Sequence, residues 1–305
     1  MLFITGLMII IVGIILSNTE TYDKSDKLSI VATTTQITDL VSIIGGDVVE
    51  VKGLMGSGID PHSYQATESD VRSLQQADII IYNGLHLEGK MTDLLANMAK
   101  QKIPTYAISD AVLNSKLMAG EDDYEGSYDP HIWFDANLWL EVITYVSNIL
   151  IEHDPKNKDI YVINTEKYLE EVREVHEFVY NKAMEIPPQK RVLITAHDAF
   201  QYFGRAYEFI VLGIEGLSPE SEVGIADIRK LADYIVQNEI KAIFVETSVS
   251  TRNAKALQQA VKARGFDVNI GGDLYSDAMG EKGKDEGTYI GMMKYNITTI
   301  VQALK

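Results

Sequence analysis

Three of the six histidines stand where strands of an α/β protein would end: His62 in GIDPHSY, His131 in YDPHIWFD and His197 in LITAHDAF. His62 and His131 share an Asp-Pro-His sequence, in which the proline restricts the preceding backbone and fixes the loop that presents the imidazole. A neutral imidazole can offer one nitrogen to a metal ion while its other N–H binds a carboxylate or a carbonyl. Three such side chains at equivalent positions predict a shared metal site.

A fourth ligand should follow a strand in the second half of the chain. The segment GGDLYSDAMG comes after the last predicted strand and offers Asp273 and Asp277. Glu246 ends the β-rich run FVET, and we expect it to support the site without binding the ion. Asp135 and Asp198 lie close in sequence to two of the histidines and are candidates to bind the second imidazole N–H.

The other three histidines have simpler explanations. His153 precedes an Asp-Pro break and suits the C-terminal end of a helix, where a cation is favoured. His176 is one position on the solvated side of a predicted helix. His86 in YNGLHLEG follows a predicted strand, so it remains a rival ligand.

Composition excludes several classes of function. The net charge of −17 and the pI of about 4.7 argue against nucleic acid and anionic membrane surfaces as partners, and leave small cations as natural ones. The absence of cysteine removes disulfides, thiolate metal sites and thiol nucleophiles, so a transition-metal site must use histidine and carboxylates. No HExxH zinc-hydrolase helix, GxSxG elbow or phosphate-binding loop is present.

The elements that must position these residues form two similar α/β halves. Short β-rich runs alternate with helical stretches, which predicts parallel sheets whose ligands bind at the carboxyl ends of the strands. The predicted strands are Leu28–Thr33, Val48–Lys52, Ile79–Asn83, Thr105–Ile108, Arg191–Thr195, Phe209–Leu212, Ala242–Glu246 and Asp267–Ile270. Helices are predicted in the second half at Gly224–Asn238, Arg252–Arg264 and Glu286–Leu304.

One long helix, Asp154–Met184, is predicted between the two halves. Apolar or aromatic residues recur along it with helical spacing. Pro155 lies near its start, and Pro187 and Pro188 follow its end. Such a helix spans roughly 40 Å, enough to bridge two domains, although an ordinary surface helix would show the same pattern. The predicted organisation is therefore a lobe of residues 28–153, a connecting helix of residues 154–186 and a lobe of residues 187–305.

The N-terminal residues 1–27 read as a secretory signal or an uncleaved anchor followed by a polar tether. The apolar run Leu2–Leu16 is short for a membrane span and ends in polar residues, as expected of an exported protein. A second irregular segment, Leu113–Asp129, is rich in glycine, serine and carboxylates and is predicted to be a surface loop.

Five stretches together resemble the zinc and manganese solute-binding proteins of bacterial ABC transporters, the TroA-like class. They are GIDPHSYQAT, NGLHLEGKM, DPHIWFD, TAHDAFQYFGRAY and LYSDAMG, and the resemblance runs from about Leu28 to the C-terminus. It implies an α/β fold with two lobes, each a four-stranded parallel sheet flanked by helices, joined by one long backbone helix. The implied ligands in the cleft between the lobes are His62, His131, His197 and Asp277, with Asp277 favoured over Asp273 and His86 demoted.

Three departures from the family pattern stand out. Asn18 occupies the place of the lipid-bearing cysteine found in many members, and the loop Leu113–Asp129 is acidic where many zinc receptors carry a histidine-rich loop. Some manganese receptors of the family also have a carboxylate where this chain has His197.

The resemblance implies a monomeric extracytoplasmic receptor, either periplasmic or on the outer face of the cytoplasmic membrane. It would capture Zn²⁺ or Mn²⁺ without an organic cofactor and deliver the ion to the permease subunits of an ABC transporter. Two rivals use the same cleft. A metallohydrolase would need an open coordination position and a general base, for which Glu246 or Asp198 are candidates, and a surface adhesin would use the metal only to lock the lobes.

Overall fold

The computed structural model describes residues 26–120, 127–220 and 223–305. The predicted signal or anchor, Leu2–Leu16, lies outside this part of the chain, and so does the centre of the predicted loop Leu113–Asp129. Among the described residues, none of the helices combines the length and the apolar character needed to cross a bilayer.

The first half contains a parallel four-stranded sheet, as predicted. Its order is β2-β1-β3-β4, with the first strand inside the sheet. Buried aliphatic residues fill the inner strands because helices cover both faces of such a sheet. The strands are β1 Leu28–Ala32, β2 Val49–Gly53, β3 Ile79–Tyr82 and β4 Thr105–Ala107.

The four strands of the second half pair two by two, so this half differs in one detail from the four-stranded sheet that the resemblance implies. Parallel ladders join β5 to β6 and β7 to β8, and β5 lies beside β7. At the end of β5, the backbone N–H of His197 donates to the side-chain carboxylate of Glu246, the last residue of β7, at 2.9 Å. The strands are β5 Val192–His197, β6 Ile210–Glu215, β7 Ala242–Glu246 and β8 Asn269–Leu274.

The helices follow the predicted alternation. Those predicted in the second half are found with their ends shifted by up to three residues, and the last predicted strand is displaced toward Leu274. The helices are α1 Thr35–Gly45, α2 Glu68–Gln76, α3 Thr92–Lys100, α4 Ala136–His153, α5 Lys158–Ala183, α6 Gln201–Tyr207, α7 Ile225–Gln237, α8 Arg252–Lys262 and α9 Tyr289–Leu304.

The predicted central helix is α5, and it begins four residues later than the periodicity indicates. A 3₁₀ turn at Pro155–Asn157 precedes it, where Asp154 accepts hydrogen bonds from the Asn157 amide at 2.8 Å and the Tyr161 hydroxyl at 2.7 Å. This carboxylate stabilises a separate turn, which explains why the α-helix does not start at Asp154. The predicted buried stripe is confirmed at Tyr161, Tyr168, Val172, Val175, Val179 and Ala183.

The largest hydrophobic core is shared by both halves. It joins residues of α1, α4, α5 and α9 and continues from Phe134 of the first half to Phe200 and Phe203 of the second. Phe134 and Phe200 stack with ring centroids 4.3 Å apart. A smaller core lies among α7, α8 and the strands of the second half. The halves are therefore joined by packed apolar surface as well as by the α5 connection.

Truncation of the buried stripe of α5 should destabilise the protein more than truncation of its exposed face. We expect Val175→Ala to lower the free energy of unfolding by about 2 kcal/mol, since it leaves a cavity in the shared core. The matched control is Ile163→Ala on the same helix, where 64% of the side chain is exposed; its loss should stay below about 0.5 kcal/mol. Urea unfolding measures both, and equal losses would contradict the assignment of the buried face.

Candidate metal centre

The structure brings the four predicted ligand residues into one buried group. His62 lies in the loop after β2, His131 in the turn before α4, His197 at the last position of β5, and Asp277 three residues beyond β8. One nitrogen or oxygen of each lies within 4.8 Å of those of the others. The carboxyl ends of strands from both halves meet here, which is where parallel α/β sheets place ligands.

The distances within this group fit a small cation. The Nε2 atoms of His62 and His131 are 3.4 Å apart, and the Asp277 oxygens lie 3.3 Å from His131 Nε2 and 3.2 Å from His197 Nε2. A tetrahedron with ligand bonds of 2.0–2.1 Å has edges about 1.63 times as long, near 3.3 Å. The three imidazoles therefore direct the same nitrogen toward one centre at spacings suited to Zn²⁺.

Each Asp-Pro-His sequence forms a turn closed by its aspartate. The Oδ1 atoms of Asp60 and Asp129 accept the backbone N–H of the histidine two residues later, at 2.8 Å for His62 and 2.9 Å for His131. Asp129 Oδ1 also lies 2.7 Å from His131 Nδ1. The turn thus places the imidazole and, at His131, leaves Nε2 as the nitrogen available to an ion.

Glu246 plays the corresponding part at His197. Its Oε1 accepts the His197 backbone N–H at 2.9 Å, and its Oε2 lies 2.6 Å from Nδ1. The second contact is close, but its angle is outside the range of an aligned hydrogen bond, so we describe it as an ion-pair contact. The expectation that Glu246 would support the site agrees with this position behind His197.

The surroundings shift the pKa values of the group in opposite directions. Burial lowers the pKa of His62 to about 3, despite the nearby Asp277 carboxylate. Burial also acts to lower the pKa of His131, but the Asp129 and Asp277 carboxylates together raise it to about 9. For His197, the Glu246 and Asp277 carboxylates outweigh burial and raise its pKa well above the ordinary value. Without a metal ion, His131 and His197 therefore hold protons at neutral pH.

Asp277 is a buried carboxylate whose negative charge needs a neighbouring positive charge. It is 1% exposed, and neither carboxylate oxygen accepts a hydrogen bond within the described part of the chain. Burial would raise its pKa, but the neighbouring imidazoles hold the pKa well below its usual range. A buried carboxylate without hydrogen-bond donors is costly unless positive charge faces it, so this site fits a divalent cation.

The remaining sequence candidates lie elsewhere. His86 and Asp273 are exposed and outside the group, as the resemblance implied. His153 ends α4 and contacts the Tyr106 hydroxyl at 2.8 Å, whereas His176 is half-buried beside Tyr207 and is less solvated than predicted.

The two carboxylates proposed to orient histidines do not do so. Asp135 caps the N-terminus of α4 and accepts a bond from Arg205, and Asp198 accepts one from Gln201.

Asp129 and Glu246 contact the imidazoles of His131 and His197, and Asp60 binds the backbone N–H of His62. The repeated Asp-Pro-His sequence is the signal for Asp60 and Asp129, since in each copy the aspartate, and not only the proline, fixes the turn.

Known proteins with similar sequences bind manganese or zinc. The chain is 43% identical over 290 residues to the manganese-binding lipoprotein MntA of Bacillus subtilis, covering 94% of each chain. It is 40% identical over 301 residues to the zinc-binding protein TroA of Treponema pallidum, covering 97% of this chain and 96% of TroA.

The fold is similar to that of a solved relative, the periplasmic zinc-binding protein TroA from Treponema pallidum. The TM-score is 0.88 at 43% identity, covering 91% of this chain and 99% of that one. The family model described as zinc-uptake complex component A, periplasmic, matches residues 30–303. The chain therefore belongs to the ZnuA family of metal-binding receptors, which includes its TroA-like relatives.

Proposed function

We propose that the protein captures Zn²⁺ or Mn²⁺ outside the cytoplasm and delivers it to the permease of an ABC transporter. His62, His131, His197 and Asp277 would bind the ion as cargo, with no organic cofactor. The observation that carries this proposal is the buried Asp277 carboxylate, whose oxygens face the Nε2 atoms of two histidines at 3.3 and 3.2 Å. Family membership and the metals named for the relatives support it.

The donor set favours tight capture over catalysis. Three imidazoles and one carboxylate complete a tetrahedral site, the arrangement that holds zinc without an open position for water. If both Asp277 oxygens bind, the coordination number rises and manganese becomes acceptable. The same donors bind Zn²⁺ more tightly than Mn²⁺, so manganese as the physiological cargo would depend on geometry or supply.

The contacts give no support to hydrolysis in this cleft. Glu246, one candidate base, directs both oxygens at His197, and Asp198, the other, lies outside the ligand group. A general base must reach the water that it activates. We therefore propose a receptor, not an enzyme, acting as a monomer with residues 28–153 and 187–305 as its lobes and residues 154–186 as the connection.

An adhesin would bind metal equally well, so binding alone does not separate it from a receptor. Deletion of the gene separates them. If the protein is a receptor, the deletion abolishes cellular uptake of the cargo metal, and expression of the intact chain restores it. Unchanged uptake would leave only a structural role for the ion.

Removal of one proposed ligand should abolish tight binding. We expect His131→Ala to weaken Zn²⁺ binding by more than about 100-fold, because binding free energy depends on the complete ligand set. Competition titration with a chelator and metal mass spectrometry measure the change. His86→Ala is the matched control, since His86 is exposed and outside the group. Unchanged metal content in His131→Ala would refute the site.

Metal affinity should fall as the pH falls. Because His131 keeps its proton up to about pH 9 in the metal-free protein, an incoming ion must displace that proton. His62, with a pKa of about 3, stays neutral and adds no competition in the same range. We expect Zn²⁺ affinity to decrease at least about tenfold per pH unit between pH 7.5 and 5.5. Circular dichroism would verify folding at each pH, and constant affinity would contradict proton competition.

Ion capture should cause little compaction. The shared core and α5 hold the halves together, so we expect the radius of gyration to change by less than about 1 Å on metal binding. Small-angle X-ray scattering of chelator-treated and Zn²⁺-loaded protein measures this. A decrease of several Å in the radius of gyration would show that the halves move as separate bodies. It would not contradict the assignment of the four ligands.

A further inference from the structure

The segment that carries Asp277 leaves the second half immediately before the metal site. Strand β8 ends at Leu274, whose carbonyl accepts the Thr247 N–H at 3.1 Å. Beyond this point, the N-terminus of α1 binds Ser276, the residue before Asp277, and Met279, two residues after it. This helix belongs to the first half, and its residues lie more than 200 positions away in sequence.

Thr35 and Gln36, which we call the α1 clamp, make these bonds. Gln36 Nε2 donates to the Ser276 carbonyl at 3.1 Å, and Thr35 Oγ1 accepts the Met279 N–H at 2.9 Å. The Thr35 hydroxyl in turn donates to Gln36 Oε1 at 3.0 Å. This chain fixes the orientation of the glutamine amide, because its oxygen accepts from a hydroxyl and its nitrogen faces a carbonyl.

The glutamine bond of the α1 clamp is sheltered from water, and the two threonine bonds are partly so. Gln36 is 1% exposed, and Ser276 is fully buried. A buried amide and carbonyl that lose their partners carry a desolvation penalty, so the clamp holds the backbone on both sides of Asp277 in one position.

Further contacts bind the rest of this segment to the first half. Asp39 of α1 accepts the Tyr289 N–H at 3.0 Å, and the Tyr289 hydroxyl donates to the Trp133 carbonyl at 2.9 Å. The Tyr289 ring stacks on Trp139 of α4 with centroids 5.2 Å apart.

Toward the second half, Ser276 contacts Ser248 at 3.3 Å, and Tyr275 exchanges two backbone-to-side-chain hydrogen bonds with Asn296 of α9, at 3.0 and 2.7 Å. Past Ser276, the bonds to α1 are the ones that flank Asp277.

His197 is held differently. Its backbone N–H and its Nδ1 both contact Glu246 of β7, and its strand pairs with β6, so its supports belong to the second half. His62 and His131 lie on loops of the first half. The ligands are therefore two and two in sequence but three and one in their attachments.

We propose that the α1 clamp is a positioning device which keeps Asp277 with His62 and His131, so that opening of the site separates His197 from the other three ligands. This inference rests on the proposed metal-binding function. It makes Thr35 and Gln36 determinants of metal affinity, although neither contacts the ion.

The double variant Thr35→Val/Gln36→Met tests the clamp because it keeps side-chain shape and removes the hydrogen bonds. We expect Zn²⁺ affinity to fall by at least about tenfold, as for other residues that orient a ligand. The absorption spectrum of bound Co²⁺ should change as the Asp277 carboxylate loses its fixed orientation. The thermal midpoint of the metal-free variant should stay within a few degrees of wild type.

Two further variants separate positioning from general damage. Thr35→Ser keeps the hydroxyl and should retain wild-type affinity and spectrum. Thr38→Val removes a hydroxyl of α1 that donates to the carbonyl of Thr34, the residue that caps this helix. This variant should also retain wild-type affinity and spectrum. Wild-type affinity and an unchanged Co²⁺ spectrum in the double variant would overturn the clamp.

Hydrogen exchange with mass spectrometry tests the three-to-one division directly. In wild-type protein without metal, amides of residues 276–280 should already be protected, and the double variant should lose that protection while residues 192–196 keep theirs. If residues 276–280 become protected only when Zn²⁺ binds, the clamp is not preformed and the proposal fails. This readout does not depend on metal affinity, whereas tight binding by His131→Ala would refute the metal site itself.

Discussion

The structure depends on one unfavourable burial, that of the Asp277 carboxylate. Its oxygens face the Nε2 atoms of His131 and His197 at 3.3 and 3.2 Å, and the His62 imidazole completes the group. Such a charge is stable only when opposite charge faces it. In the metal-free protein, protons on His131 and His197 supply that charge, because Asp129 and Glu246 raise the affinity of these imidazoles for protons. A divalent ion that replaces these two protons leaves the buried charge nearly unchanged.

The surrounding architecture limits how the site can open. The apolar core runs through both halves, and α5 connects them without a break, so wide separation of the halves would expose packed aromatic surface. Smaller motions remain available. With Asp277 bound to α1, His197 is the ligand whose supports lie entirely in the second half. Under the proposed division of the ligands, a small shift of β5 and β7 would remove one imidazole and leave three ligands that hold the ion less tightly.

Much of this could be predicted from the sequence, because periodicity and strand-end position are local signals. They located the strands, the buried stripe of α5 and His197 at the end of β5, while His62 and His131 lie on loops marked by Asp-Pro-His and the choice of Asp277 over Asp273 came from family resemblance. Long-range hydrogen bonds were not predictable in this way. The contact of Gln36 with Ser276 spans 240 positions, and nothing near Gln36 indicates it. The bond from the His197 N–H to the Glu246 carboxylate likewise joins residues 49 positions apart. The capping role of Asp135 and the Asp154 turn show that a nearby carboxylate often satisfies backbone or neighbouring groups first.

The most direct test of the account is a crystal structure of the Zn²⁺-loaded protein with anomalous scattering measured at the zinc absorption edge. We predict one ion at about 2.0–2.2 Å from the Nε2 atoms of His62, His131 and His197 and from the Asp277 carboxylate. Thr35 and Gln36 should still bind the backbone on both sides of Asp277. An anomalous peak elsewhere, or an ion coordinated without Asp277, would contradict the claim that this buried carboxylate organises the site.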